Sequence, residues 1–394
     1  MIIQELSINS HGNLTRLSAQ IVWETSKQVT QTIYFDVPNK YTDHLYKSYD
    51  PFLSGAIVPA MFAGEKRIKV EGVVCPVLKR GLLLNMQWLS YWYKPGHSIP
   101  EIEAGSTLSY NLGDTRYAAS FLSGGIDSLC TLRLNHLQFP EGHPQRIKEG
   151  VMVFGFDIAG QSHELNTDHE QQFEIALEAL EQIATGAGIN LVPIYTNIRY
   201  LNDNITFWMH QSHGAALAAT GLALANKIDS IYIGSSYDIP NMQPWGSHPI
   251  LDTNFSSQYL NIRHDGAELS RLEKTRIVAE WPVGLNNMRV CVANTGRLNC
   301  GQCEKCVRTM FQLEALNKLK DSTAFPSHTV NPQMLLSINI GSRYAEICYE
   351  DLYPIFRQQG RNDLADAISA FLKRRKNYLA KRKIIDFAKK VLRK

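Results

Sequence analysis

No stretch of this 394-residue chain stays apolar for the ~18 residues that a membrane crossing requires. Its amino end, "MIIQELSINS", lacks the basic-then-apolar layout of a secretory signal, so the expected location is the cytoplasm. Internal repeats and low-complexity segments are missing. The phosphate-binding string G-x-x-x-x-G-K-[ST] is absent too, which removes nucleotide binding of that kind. Cysteine is scarce and unevenly placed. There are seven, too odd a number to pair off, and four of them fall between 291 and 306. In a reducing compartment such clustering points to metal instead of disulfides, and Cys75, Cys130 and Cys348 read as small core residues. With 44% hydrophobic and 20% charged residues, the chain is of globular composition and long enough for two or three compact units.

The net charge of +3 hides an asymmetry. Residues 373–394, "KRRKNYLAKRKIIDFAKKVLRK", hold eleven Lys or Arg and one Asp, leaving 29 basic against 36 acidic residues elsewhere, a balance of −7. Ile384, Ile385, Ala388 and Leu392 give that tail an apolar stripe. Three readings follow: a solvated amphipathic helix, a nucleic-acid contact, or a dock for an acidic partner protein.

Residues 1 to about 110 read as an α+β accessory domain. "LTRLSAQIVWE" and "QVTQTIYFDV" form a hairpin, "RIKVEGVVC" a strand, and "PVLKRGLLLNMQWLSYWY" a helix with Pro76 in its first turn. From 111 to 315 short apolar runs alternate with amphipathic helices. "YAASFL", "GVMVFGFDI" (150–158), "NLVPIYT" and "SIYIG" (230–234) are strands. Between them "NTDHEQQFEIALEALEQIATGAG" presents Phe173, Leu177, Leu180 and Ala184 on one helical face, and "HGAALAATGLALANK" is a second helix. The rhythm predicts an α/β fold with a parallel sheet covered by helices on both sides, whose ligands sit at the carboxyl ends of the strands. Residues 316–394 read as a helical extension that carries the basic tail.

The stretch "FLSGGIDSLC" (121–130) lies at such a strand end. A strand, a glycine turn and a helix start make an anion site, because exposed N–H groups and the positive helix end face the same point. Gly124 and Gly125 let the backbone come close, Ser123 and Ser128 add hydroxyls, and Asp127 suits a Mg²⁺ ion bridging phosphate oxygens. The second signal is "CVANTGRLNCGQCEKC", where Cys291, Cys300, Cys303 and Cys306 are spaced C-x8-C-x2-C-x2-C. Four thiolates suit a structural tetrahedral Zn²⁺ with no open position, and an iron–sulfur cluster is the rival occupant.

S-G-G-x-D-S after a strand resembles the pyrophosphate loop (PP-loop) of the ATP pyrophosphatase superfamily. With the cysteine spacing, Arg308 and "LSRLEKTRIVAEWP", the chain looks like the 7-cyano-7-deazaguanine synthase family over about residues 116–315. That resemblance implies an adenine nucleotide alpha hydrolase-like core of five strands, zinc at the four cysteines, and ATP and Mg²⁺ at the loop. It implies a ligase that adenylates 7-carboxy-7-deazaguanine, releasing pyrophosphate, for attack by an amine. Lys274 matches the family lysine and would neutralise pyrophosphate; on spacing alone it is a solvated helix lysine. Phe154 and Asp157 stand where adenosine would touch, with a plain buried-strand role as the alternative for Phe154.

The segment after Gly234 departs from the family: "SSYDIPNMQPWGSHPILD" is rich in polar and aromatic groups for a connection. Ser235, Asp238, His248 and Asp252 are the expected contacts for the deazapurine or its acceptor. His210 and His213, three apart, either line that pocket or are structural. The extra residues at both ends are like those of enlarged relatives in anti-phage operons, thought to join a deazaguanine to a protein amine. Expected partners are therefore ATP, a 7-deazapurine carboxylate, and ammonia or an amine-bearing protein encoded alongside. A second copy and nucleic acid stay open as partners, and no membrane is expected. A tRNA-modifying enzyme of the same superfamily and a non-catalytic scaffold holding ATP or zinc are the competing readings.

Overall fold

The computed structural model describes residues 1–93, 98–107, 109–156, 167–291, 293 and 296–392, without the side chains of 167–169, 383 and 386–392. The chain divides into two compact units, 1–268 and 269–394.

The first unit is α/β. Its strands are β1 (Ile2–His11), β2 (Leu14–Val22), β3 (Gln31–Pro38), β4 (Arg67–Val74), β5 (Glu101–Ser106), β6 (Tyr117–Phe121), β7 (Ile147–Phe154), β8 (Asn190–Thr196), β9 (Ile228–Gly234) and β10 (Asn261–Asp265). They form one ten-stranded sheet in the order β10-β9-β6-β7-β8-β3-β2-β1-β4-β5. From β10 to β8 every neighbour is parallel. Its helices longer than four residues are α1 (Asp50–Ala63), α2 (Pro76–Tyr93), α3 (Ile126–Gln138), α4 (Thr167–Ala187) and α5 (His213–Ala223).

The sheet continues through the boundary expected near residue 110. Thr196 and Tyr195 of β8 pair antiparallel with Phe35 and Asp36 of β3, so the amino-terminal hairpin extends the same sheet instead of building its own. The cause lies in the sequence of β3: Ile33, Phe35 and Val37 are buried, and the core that contains them runs on into Ile194 and Val192. The expected hairpin, the strand at 67–74 and the helix opening on Pro76 are all present.

Within the parallel half the chain winds outward from β6 through α3 to β7 and through α4 to β8. It then returns to place β9, and later β10, on the other side of β6. Neighbouring strands β6 and β9 therefore send their connections in opposite directions, the kind of switch point at whose carboxyl ends open α/β sheets bind ligands. Ala118 and Ala119 of β6 are fully covered, and so is Val192 of β8, as befits strands buried on both faces.

The second unit is helical: α6 (Arg271–Ala279), α7 (Glu304–Ala315), α8 (Arg343–Glu350), α9 (Leu352–Gln358) and α10 (Asn362–Leu392). Its core gathers Phe311, Tyr349 and Phe356, each fully buried, with Phe371 against Tyr349 at 5.3 Å. The four-cysteine segment falls in this unit, together with the helices beyond 315. Among the described residues no helix is long and apolar enough to cross a membrane.

Candidate functional site

The loop after β6 sits at the point where the strand order reverses. Gly124 takes φ +77, a left-handed conformation that a side chain would strain, and Gly125 is the extended cap before α3 begins at Ile126. Ser128 is 8% exposed, and its hydroxyl donates to the Gly125 carbonyl at 3.0 Å while accepting from the Ser123 N–H at 3.3 Å. That hydroxyl has one proton, so Ser128 braces the loop. Ser123 is exposed, and Asp127 lies in the first helical turn. The turn is pressed against the end of β9: a Cβ on Gly234 would stand 2.9 Å from the Asp127 carbonyl. Strand β9 thus needs a residue without a side chain where it meets the loop.

Beyond Gly234 a buried hydrogen-bond chain ties three segments together. His264 of β10 faces Asp252 through Nδ1 at 2.7 Å and Ser235 through Nε2 at 2.7 Å. Asp252, fully buried, also accepts from the Ser247 hydroxyl at 2.6 Å and the His248 N–H at 3.2 Å. The order serine–histidine–carboxylate is that of a hydrolytic triad, yet the proton inventory differs. Ser235 is 1% exposed, and its hydroxyl donates to the Tyr237 carbonyl at 2.6 Å. The one proton of that hydroxyl is spent on the carbonyl, and the imidazole is held between Ser235 and Asp252. The chain is a clamp, with no hydroxyl free to attack.

The expected substrate contacts are accordingly engaged within the protein. Ser235 and Asp252 are clamp members. Asp238 accepts from Asn241 Nδ2 at 2.9 Å, and His248 accepts from the Ile250 N–H at 3.2 Å to cap a short turn, Pro249–Asp252. Burial, then the nearby His264, hold the His248 imidazole below its ordinary range, with Asp252 pulling the other way. Phe154 is 6% exposed and packs edge-on to Phe173 at 4.7 Å and against Tyr195 at 5.5 Å, which is the buried-strand alternative. Asp157 lies outside the described residues. His210 and His213 do share a face: their rings meet Trp245 at 4.7 and 5.9 Å.

In the second unit Lys274 is 1% exposed, which rules out a solvated helix lysine. It sits in α6, which opens with a capping box of Ser270 and Glu273. The cysteine segment is folded around its sulfurs. One ligand atom from each of Cys291, Cys300, Cys303 and Cys306 lies within 4.8 Å of the others. Cys291 and Cys303 Sγ are 3.9 Å apart, and Cys300 and Cys306 Sγ 3.8 Å. Four thiolates at ~2.3 Å from a tetrahedral zinc stand about 3.8 Å from one another, so the set can hold a metal such as zinc. Backbone N–H groups of Ala293 and Cys303 point at the Cys291 and Cys300 sulfurs at 3.4 and 3.2 Å, as thiolate ligands require. The Cys306 thiol beside it, above all, holds Cys303 down to about 4, whereas Cys306 itself is pushed up.

Two residues that the sequence reading passed over complete these sites. Asn299, 2% exposed, accepts from the Val290 and Cys291 N–H groups at 2.9 and 3.2 Å and donates to the Met288 and Ala324 carbonyls at 2.8 and 2.9 Å. It fixes the segment leading to the first cysteine to the loop beyond α7. His264 was hidden in "NIRHD", a five-residue strand whose alternation puts His264 on the same face as Ile262. Comparison with protein-family models, curated proteins and solved structures finds no match to this chain.

Proposed function

We propose that this protein is an ATP-dependent ligase that forms AMP and pyrophosphate while activating a carboxylic acid for attack by an amine. The observation that carries the reading is the loop 123–128: a left-handed Gly124, a serine-braced turn and an α-helix start, at the carboxyl end of β6 beside β9. N–H groups of a helix's first turn have no partners within the helix, and they converge with the helix dipole where a nucleotide's phosphates would lie. Ser123, Gly124 and Gly125 would hold the two departing phosphates. Asp127 would hold Mg²⁺, which when bound offsets phosphate charge. A carboxylate oxygen then attacks the α-phosphorus, pyrophosphate leaves, and the resulting acyl-AMP is open to an amine, which forms the amide as AMP departs. The loop's contribution is stabilisation of charge that builds on the leaving phosphate.

The resemblance of the loop and cysteine pattern to 7-cyano-7-deazaguanine synthases supports 7-carboxy-7-deazaguanine as the acid and zinc as the metal of the second unit. The residues added at both ends favour a bulky acceptor, such as a protein amine, over ammonia. The test is incubation with ATP, Mg²⁺ and 7-carboxy-7-deazaguanine, with AMP and pyrophosphate as the products expected. Hydrolysis to ADP and phosphate, or turnover indifferent to the deazapurine, overturns the reading. Asp127→Ala is expected to abolish turnover and to leave bound zinc unchanged.

A further inference from the structure

Helix α10 outruns the core of the unit it belongs to. Its first half packs through Phe371 against Tyr349 at 5.3 Å, and Arg374 and Arg375 tie it to the carbonyls of Leu335, Leu336, Ile338 and Ile340. Beyond Arg375, every residue from 376 to 385 whose side chain is described is exposed, Tyr378 by 59%, Ile384 by 69% and Ile385 by 53%. The backbone stays helical to Leu392, about 25 Å past Arg375 at a rise of ~1.5 Å per residue. A lone helix of that length is marginal in water, and large apolar side chains seldom gather on a surface that nothing covers.

The sequence is sorted around this projecting helix. At ~100° per residue, Tyr378, Ile384, Ile385, Ala388, Val391 and Leu392 fall within an arc of about 140°. Lys376, Arg382, Lys383, Lys389 and Lys390 fall within an arc of about the same width on the opposite side. Two residues cross over: Lys381 stands in the apolar half and Leu379 in the basic half. Asp386 is the one acid among residues 373–394, which leaves the segment at +10.

We propose that residues 376–392 lie along the surface of an anionic lipid bilayer, with the apolar half sunk toward the acyl chains and the basic half among the headgroups. Charge and the width of the apolar face choose this occupant. A nucleic acid would neutralise the cations and leave Tyr378, Ile384 and Ile385 in water. A partner helix would cover a narrow seam, two positions in every seven, whereas the apolar arc takes up more than a third of the circumference. A lipid–water boundary is flat, covers such a face to a depth of about 5–10 Å, and is negative where the helix is positive. Lys381 is accommodated as well, because its long stem lets the ammonium climb to the headgroups. Among the described residues no helix can cross a bilayer, but a helix lying on one needs no spanning run. The contact goes beyond the ligase reading and does not rest on it.

Flotation of the full chain with lipid vesicles tests it, comparing phosphatidylcholine alone with phosphatidylcholine that contains about one third phosphatidylserine. The protein is expected to float with the anionic vesicles, to bind the neutral ones about tenfold less, and to loosen as salt rises. Ile384→Asp combined with Ile385→Asp should cut binding by about tenfold or more. Thermal melting of that variant should match the wild type, since both side chains are exposed. Tryptophan emission, taken as the difference from wild type, reports the face. Ile385→Trp should shift to the blue on adding anionic vesicles, and Lys383→Trp, on the other side of the helix by sequence position, should not. No flotation, equal flotation with both compositions, unchanged flotation of the aspartate variant, or equal shifts at 383 and 385 each overturn the proposal. RNA binding that survives the aspartate changes, with no flotation, overturns it in favour of a nucleic-acid contact.

Discussion

His264 and Asp252 stand 2.7 Å apart with side chains 3% and 0% exposed, and the same imidazole reaches Ser235 at equal distance on its other side. The end of β9, the short turn Pro249–Asp252 and β10 are joined by that one ring. Removing one partner of a buried pair leaves the other without compensation, so His264→Leu is expected to cost about 3–5 kcal/mol. Five of the six tryptophans lie in the first unit, so a urea transition followed by tryptophan emission reads the loss there. A shift worth under ~1 kcal/mol would show the pair to be idle.

The pH dependence of the same segment has a definite sign. The His248 imidazole is held below its ordinary value of 6.5, chiefly by burial. The unfolded chain then binds the proton more readily than the folded one. The stability from His248 is fully present above about pH 6.5 and is lost as pH falls through the lower, folded value. His248→Asn should flatten this part of the stability profile, and NMR titration of the ring proton should place its midpoint below that of a free histidine. A midpoint above it would reverse the sign and the explanation.

For the four-cysteine site, one zinc per chain is expected by elemental analysis, without the visible absorption of an iron–sulfur cluster. Cys303→Ser should lower that stoichiometry and loosen the second unit, while Cys75→Ser should leave the metal in place. Because the ligands bind as thiolates, protons compete with the metal, and acidification should release it. Retention of zinc by Cys303→Ser would show that the sulfurs are not the ligands.

The basic tail is two things in sequence along one helix. Arg374 donates to the carbonyls of Leu335, Leu336 and Ile338 at 2.9, 3.2 and 3.0 Å, and Arg375 reaches Glu346 and the Ile340 carbonyl. Farther along the helix Lys376 and Lys381 are exposed. Arg374→Ala and Arg375→Ala should each destabilise the second unit by about 1–3 kcal/mol, through carbonyls and a carboxylate left without donors. Lys381→Ala should leave melting unchanged. If RNA binding is detected at all, its fall with salt should lessen in Lys381→Ala and Arg382→Ala, because each removes a phosphate contact.

Much of the parallel half could be read from the chain because its signals are local. The strand at 190–196 and the helix after His213 follow directly from apolar runs and their spacing, and the turn at 123–128 is legible because glycine and serine each have a geometric reason to stand between a strand and a helix. Helix α1 was illegible for the opposite reason. Twelve of its fourteen residues are buried, so there is no polar face to set a period, and Pro59 reads as a break. β10 is short and carries Arg263, His264 and Asp265, residues whose presence in a strand makes sense only once the neighbouring segments are in place. The site residues showed the same limit. Polarity picked out Ser235, Asp238, His248 and Asp252, but whether a polar group faces a ligand or another side chain is decided by packing.

The antiparallel join between β3 and β8 has a consequence for the life of the chain outside its folded state. In a parallel sheet of this kind β8 would be an outermost strand, showing a row of unpaired N–H and carbonyl groups. Here that row is capped by Phe35 and Asp36. A shortened chain beginning after residue 110 would bare it, along with the apolar surface of Val192 and Ile194, and should stick to its own kind instead of staying monodisperse. The leading third of the protein acts, in this sense, as a permanent chaperone for the remainder.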